Sequence, residues 1–190
     1  MNDAKCDRQG RFWAGSASND INKQEGALFC LDSTQQCTLK QKGFMISNGI
    51  GFSPDNTIMY HNDSVAKMTY CYDYDIKTGN IDNQRIFWDA SQYGEPDGLT
   101  IDIKGGIWIA IWEGSAVVRL LKNGTIDKII DMPTPRPTSL IFGGDNLSTL
   151  YITSCNHVSF RGESARPAPA GALFGLKTTY QGIAETGYSK

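Results

Sequence analysis

Short apolar runs alternate with polar, turn-forming punctuation along the whole chain. Ile107-Trp-Ile-Ala-Ile-Trp112, Ser115-Ala-Val-Val-Arg-Leu120 and Lys67-Met-Thr-Tyr-Cys-Tyr-Asp73 are rich in β-branched and aromatic residues and are bounded by Asp, Asn and Gly. Such runs read as strands, and their brevity suits strands rather than helices. No window sustains a 3.6-residue period with caps, so less than about a tenth of the chain is expected in helix. Tyr74-Asp-Ile-Lys-Thr-Gly-Asn80 and Leu121-Lys-Asn-Gly-Thr125 are expected hairpin turns, the Asn-Gly pair supplying the positive φ of a type I′ turn. Ile107–Trp112 is apolar on both faces, as befits a strand held between neighbouring sheets.

The pattern repeats. Asp7-Arg-Gln-Gly-Arg-Phe-Trp13 resembles Asp102-Ile-Lys-Gly-Gly-Ile-Trp108, and Pro54-Asp55 through Tyr60 shares its design with Gly144-Asp145 through Tyr151. Asp7, Asp55, Asp102 and Asp145 recur every 43 to 48 residues, and Trp13, Tyr60, Trp108 and Tyr151 keep step with them. Gly26-Ala-Leu-Phe29 returns as Gly171-Ala-Leu-Phe174. Tandem antiparallel units of this period predict the blades of a β-propeller, about four of them. The competing architecture is an all-β sandwich with accidental echoes. The single Trp88-Asp89 dipeptide does not recur and is no WD40 signal. Trp13, Trp108 and Tyr151 are expected to be core, and His61 to lie in a loop.

In a propeller the innermost strand of every blade begins near the axis, so equivalent residues converge there. Counting back from each Asp turn places Asn2, Asn48, Asp97 and Thr138 at one mouth. These are oxygen donors of low charge, which suit Ca²⁺, Mg²⁺ or Mn²⁺ and leave coordination positions open. The alternative is that Asn48-Gly49 and Asp97-Gly98 are merely turns at strand starts.

Composition narrows the field. The 190 residues are 40% hydrophobic, 20% charged and 11% aromatic, with a formal net charge of −2. That is enough apolar material for one folded domain, and no excess of Lys and Arg exists to neutralise nucleic-acid phosphates. No run approaches a membrane-spanning length, and the N-terminal stretch has no signal-peptide character, so cytoplasmic localisation is expected. Cys6, Cys30, Cys37, Cys71 and Cys155 form no Cys-x-x-Cys pair, and His61 and His157 are the only histidines. Reduced thiols are expected, and a Cys/His zinc site is not. The sequons at Asn62, Asn123 and Asn146 carry no meaning without secretion, and Arg161–Ala170 reads as a loop.

At four segments the sequence resembles the regucalcin-like family of senescence marker protein, gluconolactonase and luciferin-regenerating enzyme. They are Asn2 through Ser16, Ser47-Asn-Gly-Ile-Gly-Phe-Ser-Pro-Asp55, Pro96-Asp-Gly-Leu99 with Ile107-Trp-Ile-Ala110, and Pro137-Thr-Ser139 with Phe142-Gly-Gly144. The resemblance implies a six-bladed propeller with one divalent cation at its axis, most often Ca²⁺, with Zn²⁺, Mn²⁺ or Mg²⁺ as alternatives. It also implies hydrolysis of sugar-acid lactones. Carried over by motif, Asn48 and Asp97 resemble metal ligands, and Asp97 also resembles the catalytic acid or base. Asn2 and Asp20 resemble substrate contacts. The resemblance covers the last two thirds of the family chain. Residues 1–190 are thus expected to form an incomplete propeller domain lacking two blades, a Glu ligand and an Arg. Open blade edges would then favour self-association and marginal stability. Two functions follow: a metal-dependent lactonase, or a non-catalytic calcium-binding or regulatory propeller.

Overall fold

The computed structural model describes residues 1–20, 22–156 and 169–189. His157 and most of the Arg161–Ala170 segment lie outside the described residues. Those described form strands and turns, with no helix. The first blade comprises β1 (Ala4–Cys6), β2 (Phe12–Gly15), β3 (Gly26–Leu31) and β4 (Cys37–Phe44). The second comprises β5 (Ser47–Phe52), β6 (Ile58–Asp63), β7 (Met68–Asp75) and β8 (Asn80–Asp89). The third comprises β9 (Glu95–Ile101), β10 (Ile107–Trp112), β11 (Ala116–Leu120) and β12 (Ile126–Asp131). The fourth, three-stranded among the described residues, comprises β13 (Pro137–Gly143), β14 (Thr149–Ser154) and β15 (Phe174–Lys177).

Every sheet is an antiparallel meander, and β1 lies beside β5, β5 beside β9 and β9 beside β13. Four blades therefore stand around one axis as a β-propeller, which excludes the sandwich.

The repeated Asp turns have a shared physical cause. Asp7 Oδ1 accepts the backbone N–H groups of Gln9 and Arg11, while Oδ2 accepts from Trp13 Nε1 at 2.9 Å and Arg11 Nε at 2.6 Å. Asp102 reproduces this with Lys104, Gly106, Trp108 Nε1 at 2.9 Å and Arg119 Nε at 2.8 Å. The carboxylate both shapes the turn and anchors the indole of the following strand. Gly10 and Gly105, at φ 77° and 82°, supply the left-handed residue that closes each turn. The Asn123-Gly124 turn belongs to this class and not to type I′. Gly124 N donates to Leu121 O at 2.9 Å, and of the pair only Gly124 has positive φ.

Blade-to-blade burial follows from the aromatic repeat. Trp13 packs on Phe52 and Tyr74 of the second blade, Tyr60 against Leu99 and Ile101 of the third, and Trp108 on Phe142 of the fourth. Tyr151 holds the same register position on the fourth blade but is 38% exposed, because no described blade follows it. Its expected core placement is thus corrected. Phe12, the counterpart of buried Met59 and Ile107 on the opposite side of its sheet, is also 38% exposed.

The chain end ties the blades together. Gly182 N donates to Leu147 O and Ile103 N to Gln181 O; Glu185 pairs with Lys5 at 2.7 Å; and Ser189 N reaches Gly10 O. All five cysteines are free. No helix among the described residues is long and apolar enough to cross a membrane.

Candidate functional site

Asn48 lies within β5 and Asp97 within β9, each followed by a glycine whose φ is not positive. These glycines serve close approach. A Cβ on Gly49 would come within 2.4 Å of the Asp97 carbonyl oxygen and of Asn62 Nδ2, and one on Gly98 within 2.3 Å of Ser139 Oγ. The inner strands can gather around the axis only if they carry no side chain there. The reading of Asn48-Gly49 and Asp97-Gly98 as turns is therefore corrected: both are strand interiors at a crowded axis.

Burial, with the neighbouring Asp3 carboxylate and Glu95 adding to it, outweighs the lowering influence of the Asn48 side chain and the Gly98 N–H and pushes the Asp97 pKa up to about 8. Asp3 is itself raised, again chiefly by burial, although the Ala4 N–H donates to it at 2.7 Å. Two carboxyls thus share one patch of the axis. Asp3 stands next to Asn2 in the matching segment, and its neighbour's polar role was the only available signal for it.

Asn2 is exposed at the start of the first blade and donates from Nδ2 to the Ser47 carbonyl at 3.0 Å, beside Asn48. Asn2, Asn48 and Asp97 therefore come together at one end of the inner strands. Thr138, second residue of the fourth inner strand, shares its hydroxyl with Thr153 Oγ1 at 2.7 Å. Asp20 lies in the loop between β2 and β3, where its carboxylate accepts from the Asn22 N–H at 3.0 Å and Asn22 Nδ2 at 3.2 Å. Lys23 Nζ stands 3.7 Å from it. All of these partners belong to its own loop.

Several residues of this neighbourhood were given no axial role from sequence. Asn62 Nδ2 donates to the Asp97 carbonyl at 2.6 Å, and Thr69 Oγ1 donates to Asn62 Oδ1 at 2.7 Å. Asn62 is fully buried, which removes it as a glycosylation acceptor. His61 is no loop residue: it sits in β6, fully buried, with Nε2 2.6 Å from Ser47 Oγ and its ring edge-on to Phe44. Burial pulls its pKa down to about 3, so the ring is neutral.

A cavity of about 270 Å³ adjoins the site, lined by Asp3, Lys5, Ile50, Leu99, Ser139 and Tyr151 among others. The chemistry of the donors fits a hard divalent cation: they are carboxylate and amide oxygens. Among the described residues no three His, Cys, Asp or Glu side chains cluster closely enough to enclose an ion. A cation here would hold few protein ligands and several waters.

The chain is 36% identical over 187 residues to a 6-deoxy-6-sulfogluconolactonase of Pseudomonas putida, covering 97% of this chain and 64% of that protein. It is 35% identical over 188 residues to regucalcin of Danio rerio, covering 96% and 63%. Among solved structures it superposes on luciferin-regenerating enzyme with a TM-score of 0.93 at 28% identity, covering 100% of this chain and 65% of that one. A calcium-binding protein, regucalcin, of Agrobacterium tumefaciens gives 0.91 at 27% identity, with coverage of 100% and 64%. The chain spans 58 to 65% of the length of the first three curated relatives it matches. The model of the SMP-30/Gluconolactonase/LRE-like region matches residues 1–156, and the chain belongs to that family.

Proposed function

We propose that the axial site hydrolyses lactones of sugar acids, using a divalent cation held by Asn48 and Asp97, with Ca²⁺ the favoured ion and Zn²⁺, Mn²⁺ or Mg²⁺ as alternatives. The observation that carries the reading is the convergence of Asn2, Asn48 and Asp97 from three blades at one end of the axis, where burial raises the Asp97 carboxyl. The neighbouring Asp3 carboxyl lines the cavity of about 270 Å³. Support also comes from relatives named 6-deoxy-6-sulfogluconolactonase and pentonolactonase.

When bound, the cation would neutralise Asp97 and Asp3 and polarise the lactone carbonyl. Asp97 accepts the proton of the attacking water as its oxygen bonds to the acyl carbon. It returns that proton to the ring oxygen as the acyl–oxygen bond breaks, leaving the free hydroxy acid. Asn2, exposed beside Asn48, offers its Oδ1 to substrate hydroxyls. Asp20 serves as a second polar contact from the β2–β3 loop. We place this chemistry in the cytoplasm, with a small-molecule lactone as partner and neither nucleic acid nor membrane.

A non-catalytic calcium-binding or regulatory propeller is the second reading, supported by relatives named regucalcin, one of them described as a calcium-binding protein. Acid release from a panel of sugar-acid lactones, measured with Ca²⁺, Mn²⁺ and Zn²⁺, separates the two. The lactonase reading expects cation-stimulated turnover that Asp97→Ala abolishes. Rates equal to that control with every cation would leave only the binding role.

A further inference from the structure

We infer that Ser64 is a positioning residue that fixes which end of the Asn48 carboxamide faces the axis. This rests on the reading of Asn48 as a cation ligand. Ser64 is buried immediately after β6, and its single hydroxyl stands between two groups from different blades. Its Oγ donates to the carbonyl of Pro96 at 2.8 Å and lies 3.0 Å from Asn48 Nδ2. The Pro96 carbonyl can only accept, so the hydroxyl proton is committed to it. What remains toward Asn48 is lone-pair density, and only the NH₂ end of a carboxamide can satisfy it.

The Ser64 oxygen therefore holds the Asn48 nitrogen, and Oδ1 is left with one long contact, 3.2 Å from the Gly49 N–H. A hard cation needs that oxygen and is repelled by the NH₂ end. The same hydroxyl bridges β5's ligand to the main chain of β9, one residue before Asp97, while Asn62 holds the Asp97 carbonyl itself. Side chains from one blade thus set the relative position of Asn48 and Asp97, which belong to two.

The test compares the full chain with Ser64→Ala and Ser64→Thr by terbium(III) luminescence titration, Ca²⁺ competition and side-chain amide NMR of Asn48. The expected result is at least a tenfold loss of Tb³⁺ and Ca²⁺ affinity in Ser64→Ala and its recovery to within about threefold in Ser64→Thr, which keeps the hydroxyl. Without metal, the two Asn48 NH₂ protons should be slowly exchanging and distinct in the wild type and in Ser64→Thr. They should move toward the shifts of a free asparagine and exchange faster with water in Ser64→Ala. Equal affinities across the three chains would overturn the proposal. If the wild type binds neither ion, the cation reading of Asn48 fails, and the metal-free spectra still decide the orienting role: unchanged Asn48 amide signals in Ser64→Ala refute it.

Discussion

Two buried aspartates show how the same side chain is used in opposite ways. Asp7 is fully buried, and although burial acts to raise its pKa, hydrogen bonds from Trp13, Arg11 and Tyr74 hold it below the usual carboxylate value. Its contribution to stability is present above the unfolded pKa and is lost as pH falls through the folded one. Asp7→Ala strands the Arg11 guanidinium and the Trp13 N–H, so urea denaturation should show a loss of about 3–5 kcal/mol. Asp97 has the reverse sign. Its folded pKa near 8 lies above the unfolded value of about 3.9, so the metal-free chain should lose stability as pH rises between those values. Asp97→Asn should flatten that slope and melt a few degrees higher than the wild type at pH 8 without added cation, while losing lactone turnover. A wild-type melting temperature that climbs from pH 5 to pH 8 would contradict the assignment.

The strands and the repeat were legible at the level of elements because strand alternation, Asp turns and aromatic spacing are local signals. The turn residues Asp7 and Asp102 and the indoles of Trp13 and Trp108 keep one internal geometry in two blades, and that regularity is what the sequence displays. The meeting of Asn2, Asn48 and Asp97 was legible by counting from those turns. The roles of Ser64, Asn62 and Asp3 were not, since each acts across to another blade and no spacing encodes that. Gly49 and Gly98 were visible as residues but misread, because a glycine needed for close approach looks like a turn glycine until its neighbour is known. Gly49→Ala should therefore destabilise more than an alanine in an ordinary strand, by about 1–3 kcal/mol of overpacking. The methyl would press on the Asp97 carbonyl and the Asn62 amide. Chemical denaturation checks this, and the same variant should weaken cation binding by shifting β5 away from β9.

At the scale of the whole molecule, the two outer blades each turn an apolar face to solvent. Phe12 and Leu39 are exposed on the first blade, and Ile141, Tyr151 and Leu173 on the fourth. Burial of such surface is worth about 25 cal/mol per Å², so two patches of this kind favour association between copies. Light scattering on the 190-residue chain should show concentration-dependent self-association, and Tyr151→Lys with Leu173→Lys should reduce it. A monodisperse monomer at all concentrations would refute that prediction. Within the chain, however, the inner strands and the terminal segment already hold four blades around one axis. The proposed function requires Asn48 and Asp97 to share one cation at that axis. Anomalous diffraction from crystals soaked in Mn²⁺ tests this most directly. One strong peak bonded to Asn48 Oδ1 and an Asp97 carboxylate oxygen, absent from Asp97→Asn crystals, is the result expected. Axial density without an anomalous peak, or a peak that persists unchanged in Asp97→Asn, would contradict the account.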